Sequence, residues 1–143
     1  KDVNCWMLVV HDLCRQASQT RKLVLRTNGL QHRDFVCMSK VCRVLEFFAC
    51  TDKSVKKPSV FNVGNGKSQS VLEMAILIKQ RCALVLGFEP SLEYKQSTAD
   101  KYQLGLSYST DYLSSTVIGV KSTDKIVEID RLLRFCQRTF PSK

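Results

Sequence analysis

Between Gly64 and Pro90 the sequence writes out both ends of a helix, and this segment narrows the folds open to the whole chain. Ser70-Val71-Leu72-Glu73 is a capping box: the Ser70 hydroxyl accepts from the Glu73 amide, and the Glu73 carboxylate reaches back to the Ser70 amide. Val71, Ala75, Ile78, Cys82 and Val85 make an apolar stripe at helical spacing. Gly87 supplies a left-handed stop, and Pro90 follows where no helix could continue. Upstream, Val60-Phe61-Asn62-Val63 reads as a short strand halted by Gly64-Asn65-Gly66. A strand, a glycine turn and a helix in succession predict an α/β chain.

The remaining segments fit that class. Trp6, Val9, Val10, Leu13, Cys14 and Ala17 have helical spacing, which predicts a helix over Cys5 to Ala17. Lys22 to Leu25 reads as a short strand closed by the turn dipeptide Asn28-Gly29, and Asp34 to Met38 as another. Ser39 is placed to cap a helix that buries Val41, Leu45 and Phe48, ahead of a polar, lysine-rich loop from Thr51 to Pro58. Leu92 to Lys95 is a candidate strand, Gln96 to Ser109 a surface loop, and Asp111 to Ser114 a helical turn. A last helix starts near Thr123 or Asp124, carries Ile126, Ile129, Leu133, Cys136 and Phe140 on one stripe, and stops at Pro141. About four main helices are therefore expected. The strands are short for a self-sufficient sheet, so part of the sheet is expected to lie outside this chain.

Composition removes several classes. At 143 residues and 16.3 kDa the chain suits one domain, and its 44% hydrophobic content rules out wholesale disorder. The longest apolar run, Cys5 to Val10, falls far short of the roughly 18–20 residues of a membrane-spanning helix. No basic stretch precedes an apolar one, so no signal peptide is expected. Seven cysteines, odd in number and without a C-x-x-C pair, stand beside only two histidines. That pattern suits neither zinc nor a disulfide scaffold, and it predicts buried free thiols in a reducing cytoplasm.

The net charge of +9, from 22 Lys and Arg against 13 Asp and Glu, invites an anionic partner. Arg15, Arg21, Lys22, Arg26 and Arg33 are concentrated where no acid occurs between Asp12 and Asp34. No aromatic is interleaved between Trp6 and Phe35, so nucleic acid is the less favoured partner and a smaller anion such as a phosphate or pyrophosphate stays open.

Gly64-Asn65-Gly66-Lys67-Ser68 mimics a phosphate loop, but Phe61 stands where its first glycine belongs. A plain strand-to-helix turn is the better reading. No dinucleotide glycine pattern and no Tyr-x-x-x-Lys occurs, and no catalytic triad can be nominated. In Gln31-His32-Arg33-Asp34-Phe35, an arginine on a turn before a strand could offer its planar fork to a phosphate, with Asp34 orienting it. A surface Arg–Asp pair is the competing explanation.

Gly29-Leu30-Gln31-His32-Arg33-Asp34-Phe35-Val36 resembles the G-x-Q-x-R-D-F-[VI] segment of extended short-chain dehydrogenases/reductases, the NAD-dependent epimerase/dehydratase family acting on nucleotide sugars. The run from Val60 to Ala75 resembles the family's [VY]-[FY]-N-[VI]-G-x-G-x-x-x-S-[VIL]-x-E-[LM]-A segment, in the same order and at similar spacing. Gly87-Phe88-Glu89-Pro90 and the closing helix resemble the family's later elements, so the resemblance covers nearly the whole chain.

What the resemblance implies is the C-terminal, substrate-binding subdomain of a Rossmann-like enzyme, with residues 1–143 as one portion. NAD and the catalytic Tyr-x-x-x-Lys pair would belong to an upstream half or a companion chain. The ligand would be a nucleotide-sugar diphosphate. Arg33 matches the arginine that contacts the pyrophosphate, and Leu23-Val24-Leu25 the segment bordering the nucleobase. The family's second arginine, in an R-x-G-D-like stretch, is missing from Lys95-Gln96-Ser97-Thr98-Ala99-Asp100-Lys101; Lys95 or Lys101 would substitute as point charges. A homodimer, a catalytically inert binding module and a general polyanion binder stay open beside this reading.

Overall fold

Helix α3 (Val71–Leu86) forms as its sequence dictates. Ser70 Oγ accepts from the Glu73 amide at 3.1 Å, and Glu73 Oε2 accepts from the Ser70 amide at 2.7 Å. The Ser70 backbone bond, then its hydroxyl, hold the Glu73 carboxyl below its ordinary value. Gly87 ends the helix at φ 76°, a left-handed angle that a side chain would strain.

The computed structural model describes residues 4–50, 60–96, 105, 107–117 and 124–141. Around α3 it places a 3-10 turn (Cys5–Met7), α1 (Val9–Thr20), β1 (Lys22–Val24), β2 (His32–Arg33), α2 (Met38–Cys50), β3 (Gln69–Ser70), β4 (Ser91–Glu93), α4 (Asp111–Thr116) and α5 (Lys125–Thr139). β1 and β4 pair in parallel, with Leu23 opposite Leu92. β2 and β3 pair antiparallel, with His32 opposite Ser70 and Arg33 opposite Gln69. Among the described residues the strands thus form two separate ribbons of two to three residues each, too short to carry a core alone.

The main core is helical. α1, α3 and α5 pack against one another and enclose Leu13, Cys14, Met74, Ile78, Cys82, Leu133 and Cys136, with Leu23 of β1 sealed among them. Arg81 of α3 grips Asp130 of α5 through two bonds of 2.8 and 2.7 Å, which fixes the register of those helices. The Asp130 bond is the main reason that the Arg81 pKa is raised. A second, smaller cluster gathers Val44 of α2 with Leu113 and Val117, flanked by Phe47, Phe48 and Phe61. No described helix is long and apolar enough to cross a membrane, and no group of described residues could hold a metal ion.

Several sequence expectations shift. Ser39 lies inside α2 instead of capping it, because the carboxylate of Glu128, on α5, accepts from the Met38 and Ser39 amides at 3.0 Å each. Burial alone would raise the Glu128 pKa, but the hydrogen bonds from Ser39 and Met38 outweigh it and the value falls below normal. α2 buries Val44 and partly Phe47 and Phe48, while Leu45 is 65% exposed. α2 carries apolar residues on several faces, so periodicity alone could not choose the one that meets α4. The expected strands at Val60 to Val63 and Asp34 to Met38 are absent, and pairing occurs instead at His32–Arg33 and Gln69–Ser70. Asp34 leaves the ladder because its carboxylate turns to the glycine loop.

All seven cysteines are free, and Cys14, Cys37, Cys82 and Cys136 are buried as expected, but Cys42 and Cys50 are exposed. Burial pushes the Cys82 thiol up to about 12 and Cys136 to about 11, and Cys14 higher still. The core thiols therefore stay protonated and act as small apolar side chains.

Candidate functional site

Two places draw together the residues singled out by the sequence. The first is the junction of the two motif segments. Val71 N–H donates to the Gln31 carbonyl at 3.0 Å and Leu72 N–H to the Gly29 carbonyl at 2.9 Å, so the start of α3 is bonded to the chain before β2. Asp34 completes the junction. Its carboxylate accepts from the Asn65 amide at 2.8 Å, the Gly66 amide at 3.0 Å and the Tyr108 hydroxyl at 3.0 Å. Asn65 Nδ2 donates to the Phe35 carbonyl, and Lys40 Nζ to the Gly64 carbonyl, each at 2.5 Å.

Gly64 is required there for space: a Cβ would overlap both the Tyr108 hydroxyl and Asp34 Oδ2. Burial first, then the bond to Asp34, raises the Tyr108 pKa, so its hydroxyl stays a donor. The glycine loop thus surrounds a carboxylate of its own chain. Asp34 does not orient the Arg33 fork; Arg33 is exposed, and its Nη1 donates to the His32 carbonyl at 2.8 Å.

The second place is a cleft of about 280 Å³ between the 3-10 turn, α1, the end of β1 and the first residue of α3. Trp6, Asp12, Arg15, Val24, Leu25 and Arg26 contribute to its walls. A relay fixes the rim: Gln16 Nε2 donates to Asp12 Oδ2 at 2.7 Å, and Gln16 Oε1 accepts from the Val24 amide at 2.8 Å. Arg15 Nη2 donates to Asp12 Oδ1 at 2.8 Å, while Arg15 Nε is buried with no partner among the described residues. Arg26 is exposed and makes no ion pair among the described residues. Apolar walls with two guanidinium groups can hold a ligand that is partly flat and apolar and partly anionic.

The named candidates divide between these places. Val24 and Leu25 line the cleft, whereas Leu23, one residue earlier on β1, is fully buried in the core. Arg33 and Lys95 lie outside the cleft's lining, Lys95 exposed just beyond β4, and Lys101 falls outside the described residues. Arg15, Arg26 and Trp6 are among the cleft residues that motif matching passed over. The run of basic residues from Arg15 to Arg33 was the signal for two of them, and Trp6 read only as an ordinary apolar position of the first helix.

No family model and no curated protein matches the sequence. Solved structures do match. RMD from Pseudomonas aeruginosa, solved with NADPH, superposes with a TM-score of 0.71 at 16% identity, covering 95% of this chain and 44% of that one. UDP-glucuronic acid 4-epimerase from Bacillus cereus, in complex with UDP-glucuronic acid and NAD, gives 0.70 at 16% identity over 94% and 41%. The fold is that of the C-terminal part of an extended short-chain dehydrogenase/reductase. TunA, an NAD-dependent NDP-hexosamine 5,6-dehydratase, agrees, with a TM-score of 0.64 at 20% identity over 92% and 40%. The chain thus spans less than half the length of these NAD(P)-linked enzymes. Within this chain the motif junction is a structural joint, tied by Asp34 to the Asn65 and Gly66 amides and the Tyr108 hydroxyl.

Proposed function

We propose that residues 1–143 form the nucleotide-sugar-binding portion of a cytoplasmic NAD-dependent enzyme, either an epimerase, which isomerises the sugar, or a dehydratase. The observation that carries this reading is the cleft at the end of β1, where Val24 and Leu25 meet two arginines. These are two of the residues that the family resemblance sets beside a nucleobase. Arg26, which makes no ion pair among the described residues, is the cationic donor for a diphosphate, with Arg15 beside it held by Asp12. Arg33, Lys95 and Lys101 come to the ligand through the resemblance alone.

The chain has neither a dinucleotide glycine motif nor Tyr-x-x-x-Lys, so its residues do not fit an NAD site of their own. NAD would be bound by the complementary half, where it supplies hydride transfer at a sugar carbon. The work of this portion is to bind and orient: neutralising the diphosphate holds the sugar in one place and removes orientational freedom before reaction.

Calorimetric titration of the full-length protein with UDP-glucuronic acid, the ligand of the Bacillus cereus enzyme, and with other nucleoside diphosphate sugars tests this. Arg26→Ala and Arg33→Ala are each expected to weaken binding about ten- to hundred-fold, the worth of a charge-assisted hydrogen bond. Unchanged affinity in Arg33→Ala alone would remove that residue from the site and leave the cleft; unchanged affinity in both would remove the reading. One feature favours a second reading, an inert binding module: the arginine and glycine absent from the stretch 95–101. Tight binding without turnover of any nucleotide sugar would establish it.

A further inference from the structure

Trp6 is the aromatic wall of the cleft, and the way its ring is held bears on which ligand the cleft selects. Its backbone is fixed by Asn4, whose Oδ1 accepts from the Trp6 amide at 3.2 Å. Three rings brace the indole. Phe140 lies edge-on at 4.8 Å between centroids and His11 edge-on at 5.9 Å. Phe135 lies nearly parallel, tilted by 11°, with its centroid 6.2 Å away. Parallel rings that far apart overlap only at their margins, and the indole stays half-buried with part of it on the cleft wall.

Phe135 belongs to α5 and Phe140 caps its C-terminal end, and α5 buries Leu133 and Cys136 completely in the main core. The brace therefore stands on a helix whose opposite face is locked in the core, although Phe135 itself is 45% exposed. A side chain held this way loses little further freedom when a ligand arrives, which favours affinity. The same cleft contains Arg15 and Arg26 but no second aromatic ring among its described walls. A single pre-set π surface beside two guanidinium groups fits a ligand with one flat ring and a phosphate chain.

We infer that Trp6 is the base-selecting residue of the cleft: it stacks on the nucleobase while the arginines take the phosphates. The inference rests on the nucleotide reading proposed above and adds the residue that distinguishes a nucleotide from other diphosphates. Arginine contacts alone would hold inorganic pyrophosphate equally well; a stacking wall holds only the ligand with a base.

The test titrates the full-length protein with UDP and with inorganic pyrophosphate. Trp6→Leu is expected to weaken UDP binding about ten- to hundred-fold, as loss of one base–aromatic stack does, and to leave pyrophosphate within about three-fold. Trp6→Phe, which keeps a π face, is expected to restore most of the UDP affinity. In the unmodified protein, UDP but not pyrophosphate is expected to quench the Trp6 emission, read as the difference from Trp6→Phe, and this measurement stands even where Trp6→Leu does not fold. UDP affinity unchanged in Trp6→Leu, or Trp6 emission unmoved at saturating UDP, would overturn the role of Trp6 while Arg26→Ala still weakened both ligands and kept the cleft. Failure of the unmodified, folded protein to bind either ligand would overturn the nucleotide reading and this inference together.

Discussion

Ile78→Ala should cost about 2–5 kcal/mol of folding stability, a large fraction of what a domain of this size possesses. Ile78 is fully buried on α3, in the seam where α1, α3 and α5 meet. Removing its outer carbons leaves a cavity that three mutually braced helices cannot close, because the Arg81–Asp130 pair holds α3 against α5. Leu84 lies on the same helix and is 72% exposed, so Leu84→Ala should change stability by less than about 0.5 kcal/mol. Urea denaturation of both variants measures the contrast. Equal losses would mean that the three-helix seam is not the core.

Asp34→Ala should cost about 1–2 kcal/mol, because one carboxylate accepts from two backbone amides and a half-buried hydroxyl. Alanine releases the exposed Asn65 and Gly66 amides to water and leaves the half-buried Tyr108 hydroxyl without its acceptor. Hydrogen exchange separates this effect from general loosening. The Asn65 and Gly66 amides should lose protection, whereas the Val71 and Leu72 amides, bonded to Gln31 and Gly29, should keep theirs. Asp34→Asn, which retains an acceptor oxygen, should fall between. Unaltered exchange at Asn65 and Gly66 in Asp34→Ala would show that the carboxylate does not hold the loop.

Local signals in the sequence reached local structure. The capping box, the Gly87 stop and the Asp124 start of α5 depend on residues within one turn of each other, and all three form as read. Elements whose partners lie far along the chain were not legible in the same way. The N-terminus of α2 is satisfied by Glu128, 90 residues after Met38, and no local pattern announces such a cap. The face of α2 was misplaced because its apolar residues spread around the helix, and only contact with Leu113 and Val117 decides that Val44 turns inward. The strand expected at Val60 to Val63 has the right composition, but its Phe61 and Val63 pack against the second cluster instead of entering a ladder.

The site divides along the same line. Arg33 and Asp34 were found as motif residues, yet their partners were not: Arg33 turns to the His32 carbonyl, and Asp34 meets Asn65, Gly66 and Tyr108 only after the chain folds back. The cleft arginines stood in a visible basic run, and what marked Arg15 and Arg26 out from Arg21 and Lys22 was position alone. Arg21 packs over the Phe88 ring at 4.9 Å and Lys22 pairs with Glu93 at 3.1 Å, which leaves the other two facing the cleft. In this chain, then, Asp34 and the glycine loop build the frame, while Arg15, Arg26 and Trp6 join Val24 and Leu25 along the cleft.

A crystal structure of the full-length protein soaked with a nucleoside diphosphate sugar tests the site most directly. The predicted result is a diphosphate within hydrogen-bond distance of the Arg26 guanidinium, with the base beside Val24 and Leu25. A diphosphate bound elsewhere, with the cleft between the 3-10 turn and β1 empty at saturating ligand, would contradict it.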